Sequence, residues 1–257
     1  NFSKFFIALL PSKIKLGFYL KDVNYIFNKQ FFFDRFIFIE KNYEKISEFF
    51  NSTIKKNINT TNLLEINKSE KLITKKLNSI NISRKEKFFI INANSSDLRP
   101  ERNWGERNFS SLIDRIIKDN YKIILIGSKS EKFLNDIIIS EIDKKNNQIY
   151  NFAGLTSIGE LIALFKIYRT VLITNDSGPM HLANIVKSPT LSLWGPGTPK
   201  SYAENYENHK IIYKKVYCSP CLYFSIFPPC KGNNICMKEI KVEEVYNIAK
   251  KLINGIK

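Results

Sequence analysis

The stretch TVLITNDSGPMHLANIV, residues 170–186, sets the reading of the rest of the chain. Its first half, TVLITN, is a short apolar run of the kind carried by a strand buried on both faces. Its second half, MHLANIV, reads as a short helix. Between them stand Asp176, Ser177, Gly178 and Pro179, residues that start helices. Proline suits the first helical position, where its missing N–H costs nothing, and Ser177 or Gly178 can serve as N-cap. The open amides and the helix dipole then favour an anion, typically phosphate. Gly178 allows a close backbone approach. His181 on the first turn can donate to a phosphate or ribose oxygen. Asp176 would repel a phosphate set directly against it, and either orders the loop or accepts from a sugar hydroxyl. The same residues also describe an ordinary capped helix, and on residue chemistry alone both readings stand.

Working outward, the same alternation recurs from Lys87 onward. FFIINA (88–93), KIILIG (122–127), QIYNFAG (148–154), TVLITN (170–175) and TLSLWG (190–195) are strand-like. Between the first two, Phe109, Leu112, Ile113, Ile116 and Ile117 follow the stripe of an amphipathic helix. Ser157 and Glu160 have capping-box spacing. VEEVYNIAKKLING, residues 242–255, reads as a closing helix with Gly255 as its C′ stop. Strands and helices alternating at this pitch predict an α/β fold, a parallel sheet covered on both faces.

Residues 1–82 are less regular. FFFDRFIFIE (31–40) is apolar and aromatic, and Ile46, Phe49, Phe50 and Ile54 have helical spacing. From Thr60 to Arg84 the chain is polar, with the weak apolar set Leu63, Leu64, Leu72, Ile73 and Leu77, as in a connection or a loosely packed helix. The expected division is therefore 1–82 and 83–257.

In such a sheet, ligands bind beyond the carboxyl ends of the strands. After FFIINA the chain offers Asn94, Ser95 and Ser96 as small donors, with Arg99 and Arg102 as cations. After KIILIG, Glu131 either accepts from ribose hydroxyls or is an acidic residue at a helix start. Trp104 is core or lid. PGTPKSY (196–202) shapes the pocket wall or simply turns the chain. Loops of this character at one edge describe a nucleotide-sugar or dinucleotide site. A Walker loop and a GxGxxG are both missing, which argues against NTPase and dehydrogenase chemistry.

The formal net charge of +16 points to anionic partners, although lysine is abundant throughout the 257 residues. The lysines form no continuous basic arm, and no helix concentrates them with base-reading residues, so nucleic acid is not the expected partner. No apolar run approaches the roughly 18–20 residues that span a bilayer. Cys218, Cys221, Cys230 and Cys236 have a spacing that can bind structural zinc, with packed thiols as the alternative. The metal content is therefore left open, and a disulfide is disfavoured in a reducing compartment.

TNDSGPMHLANIVKSPTLSLWGPGTP, with NFAGLTSIGELIALFKIYRTVLI before it, closely resembles the glycosyltransferase family 9 heptosyltransferases of bacterial lipopolysaccharide synthesis. RPERNWGERNFSSLI is similar to that family's basic–Trp loop, and CSPCLYFSIFPPCKGNNICMKEI to the cysteine-bearing tail of its heptosyltransferase II branch. The resemblance runs from about Phe88 to Val245. It implies a GT-B fold: a Rossmann-like C-terminal domain holding ADP-heptose, and an N-terminal α/β domain presenting the inner-core acceptor. Carried over by position, Ser95, Ser96 and Arg102 would meet the diphosphate and Glu131 the ribose. Leu155 would meet the adenine, and Asp176, Ser177, Gly178 and His181 would frame the diphosphate and heptose. Arg102 stands where the family often has Lys, which keeps the charge and changes the donor geometry. The resemblance implies inverting transfer without a cofactor, at the cytoplasmic side of the inner membrane.

The family opens with a strand and a Gly-Asp loop whose Asp is the proposed general base, and no counterpart precedes Phe2 here. An incomplete N-terminal domain is thus expected, and no catalytic base is assigned. Loss of such a base alone costs roughly 10²–10⁴ in rate. A non-catalytic nucleotide-sugar-binding remnant, or a transferase using another nucleotide sugar, is the alternative reading.

Overall fold

The computed structural model describes residues 16–19, 29–32, 41, 43, 48, 66–95, 99–142, 147–222, 225 and 227–256. Two compact units divide the chain: Asn1–Ile58 with Lys200–Tyr202, and Asn59–Pro199 with Ala203–Lys257. In the first, β1 (Leu16–Tyr19) and β2 (Lys29–Phe32) pair in parallel, Leu16 opposite Lys29. The helix expected on Ile46, Phe49, Phe50 and Ile54 lies outside the described residues, as do Leu63 and Leu64.

The second unit opens with α1 (Ile66–Asn78), which packs on the helix Ile158–Ile167. Ile73 and Leu77 of α1 are fully buried in one core with Phe88 and Ile90. The division into compact units falls between Ile58 and Asn59, upstream of 82/83. A helix with its apolar side in the sheet's own core cannot serve as a linker.

Six strands follow: β3 (Lys87–Asn92), β4 (Lys122–Leu125), β5 (Ile149–Asn151), β6 (Arg169–Asn175), β7 (Thr190–Trp194) and β8 (His209–Tyr213). All pair in parallel, in the order β5-β4-β3-β6-β7-β8. The crossovers carry α2 (Glu106–Lys118), α3 (Lys132–Ser140), α4 (Ile158–Ile167), α5 (Gly178–Ile185) and the short α6 (Pro199–Tyr202). Then α7 (Ile235–Lys238) and α8 (Val242–Gly255) close the unit. The chain winds outward from β3 to β5, returns across β3, and winds outward again from β6 to β8. The winding reverses between β3 and β6.

The alternation of side chains along each strand assigns the two faces. Phe89, Ile91, Ile123, Leu125, Val171 and Ile173 face one core with α2 and α8, where Phe109, Leu112, Val245 and Ile253 are buried. Phe88, Ile90, Ile124, Ile126 and Leu172 face the other, with Leu164 and Phe165 of α4. Burying each such side chain is worth roughly 1.5–3 kcal/mol. The capping box on α4 is present: Glu160 N donates to Ser157 Oγ at 3.2 Å, and Ser157 N to Glu160 Oε2 at 2.8 Å. Gly255 is not a C′ stop: it is the last residue of α8, with Ile256 as an extended C-cap.

β8 has no clear signal in the sequence, because only Ile212 of HKIIY is a buried apolar residue. A buried polar relay fixes it. Trp194 Nε1 donates to Ser192 Oγ at 2.8 Å, and Ser192 Oγ lies 2.8 Å from His209 Nε2. His209 Nδ1 lies 2.7 Å from Glu204 O. A carbonyl only accepts, so Nδ1 carries the proton and neutral Nε2 accepts from Ser192. Burial holds the imidazole below its usual range, ahead of the opposing pull of Glu204. The unfolded chain then binds more protons than the native one as pH falls below about 6.5, and stability drops there. Urea midpoints should fall between pH 7.5 and 5, and His209→Gln should flatten that part of the profile. An unchanged slope in the variant would remove His209 from the account.

Candidate functional site

The reversal between β3 and β6 brings two strand ends together. Asn92 closes β3 and Asn175 closes β6, and the two strands pair along their length with Asn92 opposite Thr174. Asn92 Nδ2 donates to Ser177 Oγ at 2.7 Å and to Thr174 Oγ1 at 3.2 Å. Thr174 Oγ1 donates to Asn175 O at 2.9 Å, so its 3.0 Å contact with Ser177 Oγ must receive the serine proton. The Ser177 hydroxyl is thereby committed to the strands. It is the N-cap residue of α5 yet makes no side-chain cap bond. Pro179 has no N–H, and Met180 N turns back to Ser177 O at 3.2 Å. What Ser177 can offer a ligand is backbone.

In front of this turn the space is open. Gly178 is exposed, and a Cβ built there would meet nothing within 4 Å. His181 follows on the first turn, exposed, its imidazole held below the usual range by the surrounding protein and then by Arg102. Asp176 lies on the inner side, its side chain 9% exposed, with Arg102 Nε 3.5 Å from Oδ2. Neither atom has a hydrogen-bond partner. Arg102 Nη1 also donates to Asp176 O, at 3.4 Å. Burial raises the Asp176 carboxyl to about 6, with Arg102 opposing. The attraction is the smaller effect, because a contact without hydrogen-bond geometry recovers little of the lost hydration.

The loop that delivers Arg102 is pinned from behind. Trp104 is buried, donates from Nε1 to Ile240 O at 2.9 Å, and meets Phe109 edge-on at 5.0 Å. It is core and not a lid. Its N–H donates to Asn175 Oδ1 at 3.3 Å.

The other loops meet at the same edge. Asn175 Nδ2 donates to Ala93 O and Asn94 O, Asn94 Nδ2 to Asn135 Oδ1, and Asn135 Nδ2 to Asn151 Oδ1. This chain of asparagines ties β6, the loop after β3, α3 and β5 together. Asn94 was expected as a ligand donor, whereas the relay links residues 16 to 82 positions apart that form no motif. Glu131 is the N-cap residue of α3, and its Oε2 accepts from Ser128 N at 2.6 Å. A Cβ at Gly127 would approach both Asn94 Nδ2 and Glu131 Oε2 to 3.0 Å. Gly154, at φ +73°, would bring a Cβ within 2.9 Å of Lys129 Cα, so the loops after β4 and β5 pack backbone to backbone. Leu155 beside it is 53% exposed. Ser95 is half-buried, and Ser96 lies outside the described residues.

The cysteine tail lies against the neighbouring loop. Cys221 and Cys236 are buried, Cys218 and Cys230 partly so, and all four are free thiols. Burial pushes Cys221 up to about 11. Among the described residues, no group of three or more His, Cys, Asp or Glu side chains is placed to hold a metal ion. Nor is any described helix long and apolar enough to cross a membrane.

A wholly parallel sheet with this order, and a polar helix start at the winding reversal, defines the Rossmann-like class that binds ligands at that crossover. The sequence model of glycosyltransferase family 9 (heptosyltransferase) matches residues 19–225. The chain belongs to that family, and its α/β architecture is of the GT-B type. It is 30% identical over 156 residues to lipooligosaccharide heptosyltransferase 2 of Campylobacter jejuni, covering 60% of this chain and 47% of that one. The crystal structure of a glycosyl transferase family 9 protein from Veillonella parvula matches with a TM-score of 0.71 at 19% identity, over 95% of this chain and 68% of that one. Escherichia coli ADP-heptose lps heptosyltransferase II matches with a TM-score of 0.60 at 19% identity, over 72% and 52%. The chain thus spans about half the length of the curated relative it matches.

Proposed function

We propose that this chain supplies the donor-binding half of an inverting glycosyltransferase that moves heptose from ADP-heptose to a lipopolysaccharide inner-core acceptor. The donor role falls to the larger unit and the acceptor role to the residues before it. The observation that carries the reading is the start of α5 at the β3/β6 reversal. It is left uncapped by Ser177, open in front of Gly178, and flanked by Arg102 and His181.

In this reading the diphosphate lies against the first turn of α5, where backbone dipoles and Arg102 stabilise the charge that develops as the glycosidic bond breaks. Ser95 and Ser96 add small donors, and His181 donates to a phosphate or sugar oxygen. Glu131 accepts from the ribose, and exposed Leu155 packs on the adenine. Asp176, Ser177 and Gly178 complete the wall around diphosphate and heptose. The polypeptide would work in the cytoplasm, at the inner face of the membrane that carries its acceptor.

Titration with ADP-heptose, ADP-glucose and UDP-glucose tests this. ADP-heptose should bind most tightly. Asp176→Ala and His181→Ala should each weaken it by roughly tenfold with the fold intact, as expected for one charge-assisted hydrogen bond. Glu131→Ala should erode the preference for the ADP sugars. Equal affinity for all three donors, or unchanged affinity in both loop variants, would remove the donor assignment. Tightest binding of another nucleotide sugar would keep the site and change the substrate.

A further inference from the structure

Asp176 stands at the entrance to α5 in surroundings that a bound diphosphate makes worse for a carboxylate. Its side chain is more than nine-tenths buried, and Oδ2 has no hydrogen-bond partner. The bare Cα of Gly197 closes the space behind it, since a Cβ there would lie 2.8 Å from Oδ2. The charge that acts on it is Arg102, whose Nε is equally buried and unbonded. Among the described residues, no other charge shifts its carboxyl. The turn that carries Arg102 also carries Glu101, whose residue lines a small cavity of about 180 Å³ with Arg99, Cys221 and Pro228. The first turn of α5 carries His181, whose imidazole the surrounding protein and then Arg102 hold below its usual range. Gly195, Pro196 and Gly197 carry no titratable side chain.

The next step rests on the donor reading above. A nucleotide-sugar diphosphate brings two negative charges to this corner and attracts Arg102 to itself. A carboxylate left there would face phosphate oxygens with no compensating cation, and both groups can only accept. A carboxylic acid reverses the contact, because it can donate. We infer that Asp176 holds the bound donor as a neutral acid, its carboxyl O–H donating to a diphosphate oxygen, so that donor binding takes up one proton from solvent. The proton returns to solvent when the nucleotide leaves, and no covalent bond of the donor is involved. Burial has already brought the free carboxyl to about 6, so neutral solution can supply the proton.

Calorimetric titration of the 257-residue chain with ADP-heptose, in buffers of different ionisation enthalpy, reads the proton directly. ADP itself is avoided, because a terminal phosphate titrates near neutrality whereas the diphosphate diester does not. At pH 7 the uptake should be roughly 0.7–0.9 proton per donor, with Kd weakening about three- to ninefold from pH 7 to 8. Asp176→Asn should abolish both effects. Its amide donates without needing a proton, so at pH 8 it should bind ADP-heptose at least as tightly as the parent chain. His181→Gln should leave the uptake in place. Binding without uptake would overturn the inference, as would uptake that survives in Asp176→Asn or disappears in His181→Gln, while the donor site itself would stand. Absence of ADP-heptose binding between pH 6 and 8 would instead overturn the donor reading, and the inference with it.

Discussion

Asp176→Asn is expected to make the unliganded protein more stable at pH 8, by on the order of 2 kcal/mol. The native fold buries this carboxyl, leaves Oδ2 without a hydrogen bond, and offers only Arg102 at 3.5 Å in return. Its value of about 6, against 3.8 unperturbed, means that the fold prefers the protonated form. Between those values the native state binds more protons than the unfolded one. Stability due to this group therefore falls as pH rises through that window, and at pH 8 the whole cost is present. Asparagine has the same shape and no charge, and can turn its oxygen toward Arg102. Thermal unfolding should show a gain of roughly 4–8 °C at pH 8, for about 2–4 °C per kcal/mol, shrinking toward zero near pH 4. A loss of stability at pH 8 would mean that attraction to Arg102 outweighs burial. The gain would mark the site as one where stability is given up for ligand chemistry.

Gly195→Ala should have the opposite effect and a comparable size. Gly195 follows β7 and takes the backbone under the cysteine tail. A Cβ there would lie 2.6 Å from both Cys236 Sγ and Met237 Sδ, and 3.1 Å from Met237 Cγ. Both side chains are buried, Met237 at 1% exposure, and the core around them includes Trp104 and Ile240. Overpacking of this kind costs about 1–3 kcal/mol. Cys236→Ala in the same chain should recover part of the loss, since it removes one of the two colliding sulfurs, and the double-mutant cycle should show clear coupling. A Gly195→Ala variant with the parent's denaturation midpoint would show that the tail does not pack there. The pair of experiments also separates the two sides of the loop: Gly195 supports the tail, whereas Gly197 backs Asp176.

The sheet was legible from the residues because its strands alternate apolar side chains toward two cores. Phe88 and Phe89 already show this, one in each core. β8 was not legible, since its residues are held by a relay through Ser192 and Trp194 that no local pattern contains. α1 lies in a stretch that reads as a connection or a loosely packed helix, not as part of the sheet domain. Its polar exposed side looks like a linker, and only the burial of Ile73 and Leu77 assigns it. At the site, the order of Asp176, Ser177, Gly178 and His181 along the chain located the loop correctly beyond a strand end. The fate of each polar atom was another matter. Ser177 and Asn94 are turned into structural partners by Asn92, Thr174 and Asn135.

By itself the sequence determined the alternating architecture, the family, and the loop where chemistry is to be sought. These follow from local periodicity and from residue types that few other settings require. The tertiary structure decided the strand order, and with it the reversal that brings the ends of β3 and β6 together. It also decided that Arg102 and Asp176, 74 positions apart, share one buried corner. Hydration lost by a charge depends on every atom packed around it. That sum is a property of the folded chain, and no stretch of residues carries it alone.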